Sequence, residues 1–292
     1  MKLQWLTNWR SLPFQIELKR IWLDCYEDSE EYVDFFFANV PDRMQVIGAF
    51  EGEKLIGGVY LFPCQVTGGE AADVTGDRYE KRNAYYLYAG GVLSSYRRNH
   101  VYESICREIR SKLQKEDAGL LCYAKPCLRG FYEKMGLSCY YESIEMKWER
   151  QKNEEGKEKC RCFREEIGAE ELYQLRRQHF FKNAFLLWDR EQLDYIVKEK
   201  KFCGGFADFF IVNRQKYVII GEVKKGVLWI EETTMPPEEL RRYGDDILSF
   251  YEAECLTVRF PVWETLSHSV QRVYSGMGNI AAKELWVSFT LL

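Results

Sequence analysis

The sequence has few histidines and no long apolar run, and each scarcity excludes a class of protein. Its 292 residues include 3 histidines, and no two of them share a predicted helix face. A histidine-based metal centre or a Ser-His-Asp triad is therefore not expected. No apolar stretch approaches the ~20 residues of a membrane-spanning helix. Residues 1–10 lack the apolar core of a secretion signal, so we expect a cytoplasmic protein without membrane contact.

The chain also has no excess of positive charge. The chain has 41 Lys and Arg against 45 Asp and Glu, a formal net charge of −4 and a pI near 5.7. A protein that grips nucleic acid normally carries a basic face, so no nucleic-acid partner is expected. With 46% hydrophobic and 29% charged residues, the composition is that of a globular protein without extended disorder. The length suits two domains.

The 10 cysteines do not form a disulfide or zinc pattern. Several lie within apolar segments, including Cys106, Cys122 and Cys255, which indicates reduced, buried thiols. Cys160 and Cys162 are the close pair in the sequence, and no second Cys/His pair stands near them at metal spacing. We predict no metal site.

Two similar halves flank a polar run at residues 149–159. This run cannot bury a core, so it reads as a linker between domains at 1–150 and 151–292. The first half predicts two helices, a hairpin, a strand, a long helix, a strand, a short helix and a strand: 12–26, 29–39, 46–51 with 54–62, 85–92, 101–115, 120–123, 128–135 and 137–148.

The second half predicts a similar order of elements, which indicates a loose structural repeat. These elements are two helices, a hairpin, a strand, a helix, a strand and a final strand: 169–180, 190–200, 206–212 with 217–223, 227–233, 238–251, 255–262 and 285–292. Helices interleaved with a largely sequential sheet make an α/β or α+β protein.

Residues 86–102 could carry chemistry, because a strand there leads through a loop into a helix N-terminus. Free backbone N–H groups and the helix dipole at such a point suit a pyrophosphate. Arg97 and Arg98 add positive charge. The alternative is an ordinary loop with two solvated arginines. Downstream, Tyr132 lies on a short helix that ends at Gly136, where it is either a packing residue or a functional one.

These segments resemble the GCN5-related N-acetyltransferase (GNAT) superfamily. There a strand precedes an (Arg/Gln)-x-x-Gly-x-(Gly/Ala) loop and a helix, and a later Phe-Tyr-x-x-x-Gly-Phe closes the site. Val92 and Tyr96-Arg97 stand where the family has its strand valine and leading tyrosine and arginine, and Phe131-Tyr132-Glu133-Lys134-Met135-Gly136-Leu137 matches the second motif. Segments 21–37 and 50–61 are also similar, so the resemblance covers roughly residues 20–148.

The second half resembles the degenerate partner lobe of two-lobed acetyltransferases such as the enhanced-intracellular-survival (Eis) type. It has no phosphate loop of its own, and too few residues follow for the sterol-carrier-like domain of that type. The resemblance therefore implies tandem GNAT-type lobes, each a mixed, largely antiparallel sheet flanked by helices.

By this resemblance, acetyl-CoA lies between parted strands as the acyl donor. Gly90, Gly91 and Val92 would hold the pantetheine and the thioester oxygen, and Tyr132 would protonate the departing thiolate after direct attack by an amine. The remaining predicted cofactor-binding residues are Arg97, Arg98, Asn99, His100, Val101, Tyr102 and Phe131.

The general base and the acceptor stay open. Glu103, Glu145, the terminal carboxylate of Leu292 and a bound water are the candidates for the base. The acceptor would be a small-molecule or polypeptide amine, and residues that could line its pocket are Tyr26, Phe36, Tyr85 and Glu231. A homo-oligomer is also left open.

The phosphate loop departs from the family at two positions. His100 replaces the expected glycine and Tyr102 replaces the second small residue. A left-handed conformation costs an ordinary residue roughly 1–2 kcal/mol, which would weaken cofactor binding about ten-fold.

Three functions follow from the sequence. The first is an acetyl-CoA-dependent N-acetyltransferase. The second is a catalytically silent paralogue that binds CoA weakly or binds only a protein partner. The third, an aminoacyl-tRNA-dependent transferase, is disfavoured by the acidic charge.

Overall fold

A computed structural model of the chain describes residues 1–67, 81–150, 162–180, 183–264, 270–282 and 284–288. In the first half, helices alternate with strands of one sheet. The elements, in chain order, are β1 (Lys2–Trp5), α1 (Leu12–Cys25), α2 (Glu30–Asn39), β2 (Gln45–Glu51), β3 (Lys54–Thr67), β4 (Arg82–Val92), α3 (Val101–Lys115), β5 (Gly119–Cys122), α4 (Arg129–Lys134) and β6 (Cys139–Glu149).

The second half follows a related order. Its elements are β7 (Cys162–Glu166), α5 (Ala169–Phe180), β8 (Phe185–Leu187), α6 (Arg190–Phe202), β9 (Phe206–Val212), β10 (Gln215–Lys224), β11 (Val227–Thr233), α7 (Pro237–Phe250), β12 (Cys255–Pro261) and β13 (Gln271–Gly278). Helices cover both faces of the sheet: α1, α2, α5 and α6 share one apolar core, while α3 and α7 pack against the opposite face.

Local sequence explains why the site-forming helices begin and end where they do. Ser29 caps α2 by accepting a hydrogen bond from the Tyr32 N–H, and Asp189 caps α6 in the same way. In α3, Ile105, Ile109 and Leu113 recur on one face and are almost fully buried. This apolar stripe fixes α3 against the sheet and so determines where its N-terminus points.

The sheet is continuous through both halves because they exchange strands. Its order is β1-β2-β3-β4-β5-β13-β6-β12-β11-β10-β9-β7, with β8 paired to β3. Strand β13, from the second half, pairs with β5, whereas β6, from the first half, pairs with β12. Neither half therefore completes its own row of backbone hydrogen bonds.

Both halves contain the same pairing unit. Strands β2, β3 and β4 pair antiparallel, and β4 then pairs parallel with β5 after the crossover through α3. Strands β9, β10 and β11 pair antiparallel, and β11 pairs parallel with β12 after α7. The predicted repeat in the order of elements is thus present as a repeat in strand pairing.

Most predicted elements lie within a few residues of their predicted bounds, and the mixed α/β fold class is confirmed. Strands β1, β7, β8 and β13 were not predicted from the sequence pattern, because they are short or polar and owe their order to their neighbours. Of the predicted strand 285–292, Trp286 forms a single bridge with Phe185, and residues 289–292 lie outside the described residues.

Two further predictions, the linker and the buried cysteines, are confirmed or testable only in part. Most of the predicted linker lies outside the described residues, since 151–161 are not described. Cys106 and Cys122 are buried as predicted, whereas Cys255 is half-buried, because it begins an otherwise covered strand. Within the described ranges, no helix is long and apolar enough to cross a membrane.

Candidate functional site

Strand β4 is closely approached from both faces at its two glycines. A Cβ at Gly90 would lie 2.6 Å from the Tyr102 hydroxyl oxygen, and a Cβ at Gly91 would lie 2.5 Å from the Cys25 Sγ. Side chains at these positions would therefore displace Tyr102 on one face and α1 on the other. The pair of glycines is explained by this double approach.

Strands β4 and β5 stop pairing before β4 reaches its two glycines. Their parallel pairing runs from Ala84↔Gly119 to Leu87↔Cys122 and then stops, while β4 continues to Val92. On its other edge, β4 carries one extra residue between Leu87 and Gly90 relative to β3. Such a bulge bends a strand and re-aims its backbone groups. The backbone N–H and C=O of Gly90 consequently face the opening between β4 and β5.

The Tyr26 hydroxyl is hydrogen-bonded to both of these backbone groups of Gly90. It accepts a hydrogen bond from the Gly90 N–H at 3.0 Å and donates one to the Gly90 carbonyl at 2.9 Å. Tyr26 follows the last residue of α1, so helix α1 carries this hydroxyl to the strand. Burial raises the pKa of Tyr26, which keeps the phenol neutral and able to donate.

The loop after β4 is fastened to the end of α1. Arg97 donates to the Val92 carbonyl at 3.1 Å and to the Asp24 carbonyl at 2.9 Å, and the Asp24 carboxylate accepts from the Ser94 N–H at 2.6 Å. Arg97 therefore holds the loop in shape rather than pointing an uncommitted charge at a ligand. Arg98, next to it, is exposed and makes no ion pair within the described residues.

The loop takes the conformation that the missing glycine would provide. Arg98 and His100 both have left-handed backbones, with φ of 65° and 55°. The His100 Nδ1 lies 2.7 Å from Glu103 Oε2, and the imidazole is 81% exposed. The imidazole is thus held by the first turn of α3. The loop therefore keeps its left-handed conformation although His100 stands in place of glycine. This conformation costs a non-glycine residue roughly 1–2 kcal/mol.

Glu103 is a poor candidate for the general base. It is hydrogen-bonded to His100 and to Arg107, and these contacts lower the pKa of its carboxyl. A carboxylate with a lowered pKa takes up a proton less readily. Its position in the first turn of α3 also places it at the phosphate end of the loop.

An open cleft of about 740 Å³ adjoins this loop. Several positively charged groups face it, while Glu103 contributes one negative charge. Its lining includes most of the predicted cofactor-binding residues, together with Arg107, Lys134 and Met135: Val92, Arg97, Arg98, His100, Val101, Tyr102 and Phe131. Asn99 is exposed in the turn and is not part of the lining. Gly90 lies behind Tyr102 on β4, and Gly91 is covered from the other face by Cys25.

Tyr132 lies beside the cleft and is paired with Tyr102. The two hydroxyl oxygens are 2.7 Å apart, and Tyr132 is 7% exposed. Burial is the main cause that raises the pKa of Tyr132, and the hydrogen bond with Tyr102 partly opposes it. The phenol is therefore a neutral proton carrier whose hydroxyl is already oriented. The large residue at position 102, which replaces the family's small residue, makes this pairing.

A buried carboxylate missed by sequence reasoning joins the two halves on the α1/α2 face. Glu199 of α6 accepts hydrogen bonds from Tyr32 at 2.6 Å and from Tyr195 at 2.7 Å. Tyr32 is in turn bonded to Tyr88, which belongs to the bulged part of β4. Burial raises the pKa of Glu199. No sequence signal could reveal this network, because its members come from α2, β4 and α6.

The four residues predicted around an acceptor pocket do not lie together. Tyr26 is at the Gly90 edge, Phe36 is fully buried in the core, and Tyr85 binds Gln45 and Glu116 on the opposite face of β4. Glu231 forms an ion pair with Lys200 in the second half. Glu145 lies near Arg259 and Lys147, and Leu292 is outside the described residues.

Known proteins are similar to this chain in one domain model and in fold. Residues 16–140 match the model of an acetyltransferase (GNAT) domain. Among solved structures, a probable N-acyltransferase from Enterococcus faecalis V583 has a TM-score of 0.69 at 12% identity, covering 95% of this chain and 72% of that chain. No curated protein matches the sequence.

Two further structures show the same fold. A GCN5-related N-acetyltransferase from Kribbella flavida has a TM-score of 0.65 at 13% identity, covering 95% of this chain and 70% of that one. Eis1 from Mycobacterium abscessus has a TM-score of 0.66 at 8% identity, and the match covers 96% of this chain and 74% of the Eis1 chain. The resemblance predicted from the sequence is borne out by the GNAT domain match over residues 16–140, and the solved structures bear out the predicted fold.

Proposed function

Since residues 16–140 match the model of a GNAT acetyltransferase domain, we propose that the chain transfers an acetyl group from acetyl-CoA to a primary amine by direct attack. The observation that carries this proposal is the pairing of Tyr132 with Tyr102 beside a strand edge that opens next to a basic cleft. We assign the catalytic lobe to residues 1–150 and the partner lobe to 151–292.

The donor is held by the parted strands and the loop. The left-handed turns at Arg98 and His100 shape the loop for the pyrophosphate, and Arg98 and Lys134 contribute positive charge. The thioester oxygen binds at the Gly90 N–H, where a strand N–H stabilises the developing oxyanion. Because that N–H bonds to Tyr26, acetyl-CoA has to displace the Tyr26 hydroxyl.

Tyr132 serves as the general acid. An amine attacks the thioester carbon, the C–S bond breaks, and the phenol of Tyr132 gives its proton to the departing thiolate. Both groups are desolvated there, so burial raises the pKa of the thiol as well as that of the phenol. The Tyr102 hydroxyl keeps the Tyr132 hydroxyl in one orientation.

The acceptor amine approaches from the α1/α2 face of β4. There the Glu199–Tyr32–Tyr88 network is the proton acceptor that the structure adds to the candidates. A carboxylate whose pKa is raised by burial takes up a proton more readily than an ordinary one. The acceptor is a small-molecule or polypeptide amine in the cytoplasm.

A second candidate function is a silent paralogue. The observation in its favour is that Gly90 and Val92, the strand groups assigned to the donor, are already hydrogen-bonded to Tyr26 and Arg97. Such a protein would bind CoA weakly or would bind only a protein partner.

Calorimetric titration with acetyl-CoA distinguishes the two functions. We expect micromolar binding that weakens about ten-fold in Arg98→Ala, whose side chain faces the cleft without an ion pair. Arg242→Ala, on helix α7 of the second half, is the matched control and should bind as the wild type does. Absence of binding up to millimolar acetyl-CoA would make the silent paralogue the leading function. Binding would justify a screen of amines by release of free thiol.

A further inference from the structure

A smaller cavity adjoins the donor cleft on the α3 face of the sheet. Its volume is about 200 Å³, and residues of α3, α4, β4 and β5 line it. Met135 lines both this cavity and the cleft of about 740 Å³. The paired tyrosines stand at the same boundary, since Tyr102 lines the cleft and Tyr132 lines the cavity. We call this space the α3–α4 cavity.

The walls of the α3–α4 cavity are mainly apolar. Buried leucine and isoleucine side chains of one apolar cluster line it: Leu87, Ile109, Leu113, Leu120 and Leu137. Among its polar residues, Asn279 accepts a hydrogen bond from the Leu120 N–H at 2.7 Å, and Arg110 and Gln114 are exposed to solvent. A cavity with such walls suits an apolar ligand.

The α3–α4 cavity lies on the continuation of the path proposed for the donor. In the proposed function, the pyrophosphate lies at the start of α3 and the thioester lies at Gly90. The path between them runs back along β4, and Leu87, three residues further back, lines the cavity. On α3 the lining begins at Cys106, one turn after Tyr102, and extends over about 10 Å of helix. An acyl chain that continues in the direction of the pantetheine therefore points towards the cavity.

The thiol of Cys106 in the cavity wall is unsuited to accept an acyl group. Cys106 is 5% exposed, and burial raises the pKa of its thiol to about 12. A neutral thiol is a weak nucleophile, because the thiolate is the reactive form. An acyl chain in this cavity would therefore stay attached to CoA until an amine attacks it.

We propose that the α3–α4 cavity binds the acyl chain of a CoA thioester longer than acetyl, with roughly six to eight carbons. An apolar cavity of about 150 Å³ holds benzene, which has six carbons, so the volume of about 200 Å³ has room for a chain of this size. The proposal rests on the proposed donor site and names the class of acyl group that this site takes besides acetyl.

Calorimetric titration of the full chain with acetyl-, butyryl-, hexanoyl-, octanoyl- and dodecanoyl-CoA tests the proposal. Because each CH₂ group that leaves water adds favourable transfer free energy, we expect the Kd to fall about two-fold to four-fold per CH₂ group up to octanoyl-CoA and then to level off. Free octanoate lacks the contacts of the CoA part, so it should bind at least about ten-fold more weakly than octanoyl-CoA.

Two variants change the cavity in opposite directions. Ala118→Leu fills part of it, so octanoyl-CoA should bind about ten-fold more weakly. Leu113→Ala enlarges it, so the tightest binding should move to a longer chain. Ala118 precedes the paired part of β5, away from Gly90, so both variants should bind acetyl-CoA as the wild type does. General destabilisation would not shift the preferred chain length in opposite directions.

Leu248→Ala is the matched control, because it removes the same side chain from the buried face of α7 in the second half. It should leave the preferred chain length unchanged. Thermal unfolding of each variant checks that it is folded.

Equal affinity for acetyl-CoA and octanoyl-CoA would overturn the acyl site and leave the donor site standing. A chain-length preference that Ala118→Leu and Leu113→Ala both leave unchanged would place the acyl chain elsewhere and would also overturn it. Octanoate that binds as tightly as octanoyl-CoA would show a site for free carboxylates instead. Absence of binding for every thioester, acetyl-CoA included, would reject the donor site on which the proposal rests.

Discussion

The two halves of the molecule share one pairing unit and differ in the connection that follows its third strand. In the first half, residues 93–100 join β4 to α3 through a 3₁₀ turn and two left-handed residues. In the second half, residues 234–236 join β11 to α7, and Pro236 and Pro237 stand at the start of that helix. The same strands and crossover therefore lead into two very different helix N-termini.

This difference explains why a donor site is expected in one half alone. Proline has no backbone N–H, so the start of α7 loses donors that an anion would need. The loop before α3 keeps its N–H groups and is pinned to α1 by Arg97. A shared unit of secondary structure is thus insufficient for a site, and the short connection decides the chemistry.

The two halves also differ in the kind of polar side chain that they bury. In the first half, the polar groups of Tyr26, Tyr102 and Tyr132 gather at the opening between strands. In the second half, Arg176 and Glu232 form an ion pair in which both side chains are 0% exposed. That pair lies outside the lining of the cleft, whereas Tyr102 belongs to the lining.

The largest expected effect is on catalysis in the first half. Tyr132→Phe removes the proton donor, so we expect kcat to fall by about 10²–10⁴-fold while the Kd for acetyl-CoA stays unchanged. Thiol release with the amine found by screening, together with calorimetry, measures the two quantities. Tyr243→Phe on α7 is the control from the second half and should leave kcat unchanged. Equal turnover in Tyr132→Phe and the wild type would remove Tyr132 from the mechanism.

The next effect is on stability and arises in the second half. Arg176→Met leaves the Glu232 carboxylate buried without its partner, so we expect a loss of about 3–5 kcal/mol in the free energy of unfolding. Chemical denaturation of the whole chain measures it. Arg190→Met, which breaks the exposed ion pair with Glu170, is the control and should change stability little. A similar loss in both variants would contradict a special role for the buried pair.

The smallest effect is a gain in donor affinity. Tyr26→Phe keeps the ring but frees the Gly90 N–H, so we expect acetyl-CoA to bind three-fold to ten-fold more tightly, a change of about 1 kcal/mol. CoA without the acetyl group lacks the competing carbonyl and should bind as before. Calorimetric titration with both ligands measures the difference.

Two outcomes would contradict this account of Tyr26. Equal gains for CoA and acetyl-CoA would show that Tyr26 obstructs the cleft in general. Weaker binding of acetyl-CoA alone would show that the hydroxyl assists the donor rather than competing with it. Tyr85→Phe, on the opposite face of β4, is the matched control and should leave both affinities unchanged.

Much of the fold could be predicted from the sequence because local signals decided it. Helix α3 has its predicted bounds because Ile105, Ile109 and Leu113 recur on one face, and the predicted hairpin of β2 and β3 forms because Gly52 has a left-handed backbone at the turn. Pro237 at the first position of α7 marked that helix in the same way. Strand β13 escaped prediction, because it is ordered by pairing with distant β5 and β6 rather than by its own pattern.

The candidate site divides along the same line. The sequence by itself determined the loop, the arginines and Tyr132, because a motif specifies residues that are close along the chain. Only the tertiary structure decided that Tyr26 fills the Gly90 edge, that Tyr102 meets Tyr132, and that Glu199 joins α2 to β4 through Tyr32. Each of these contacts depends on a side chain brought from a separate element, and the packing of helices against the sheet sets such distances.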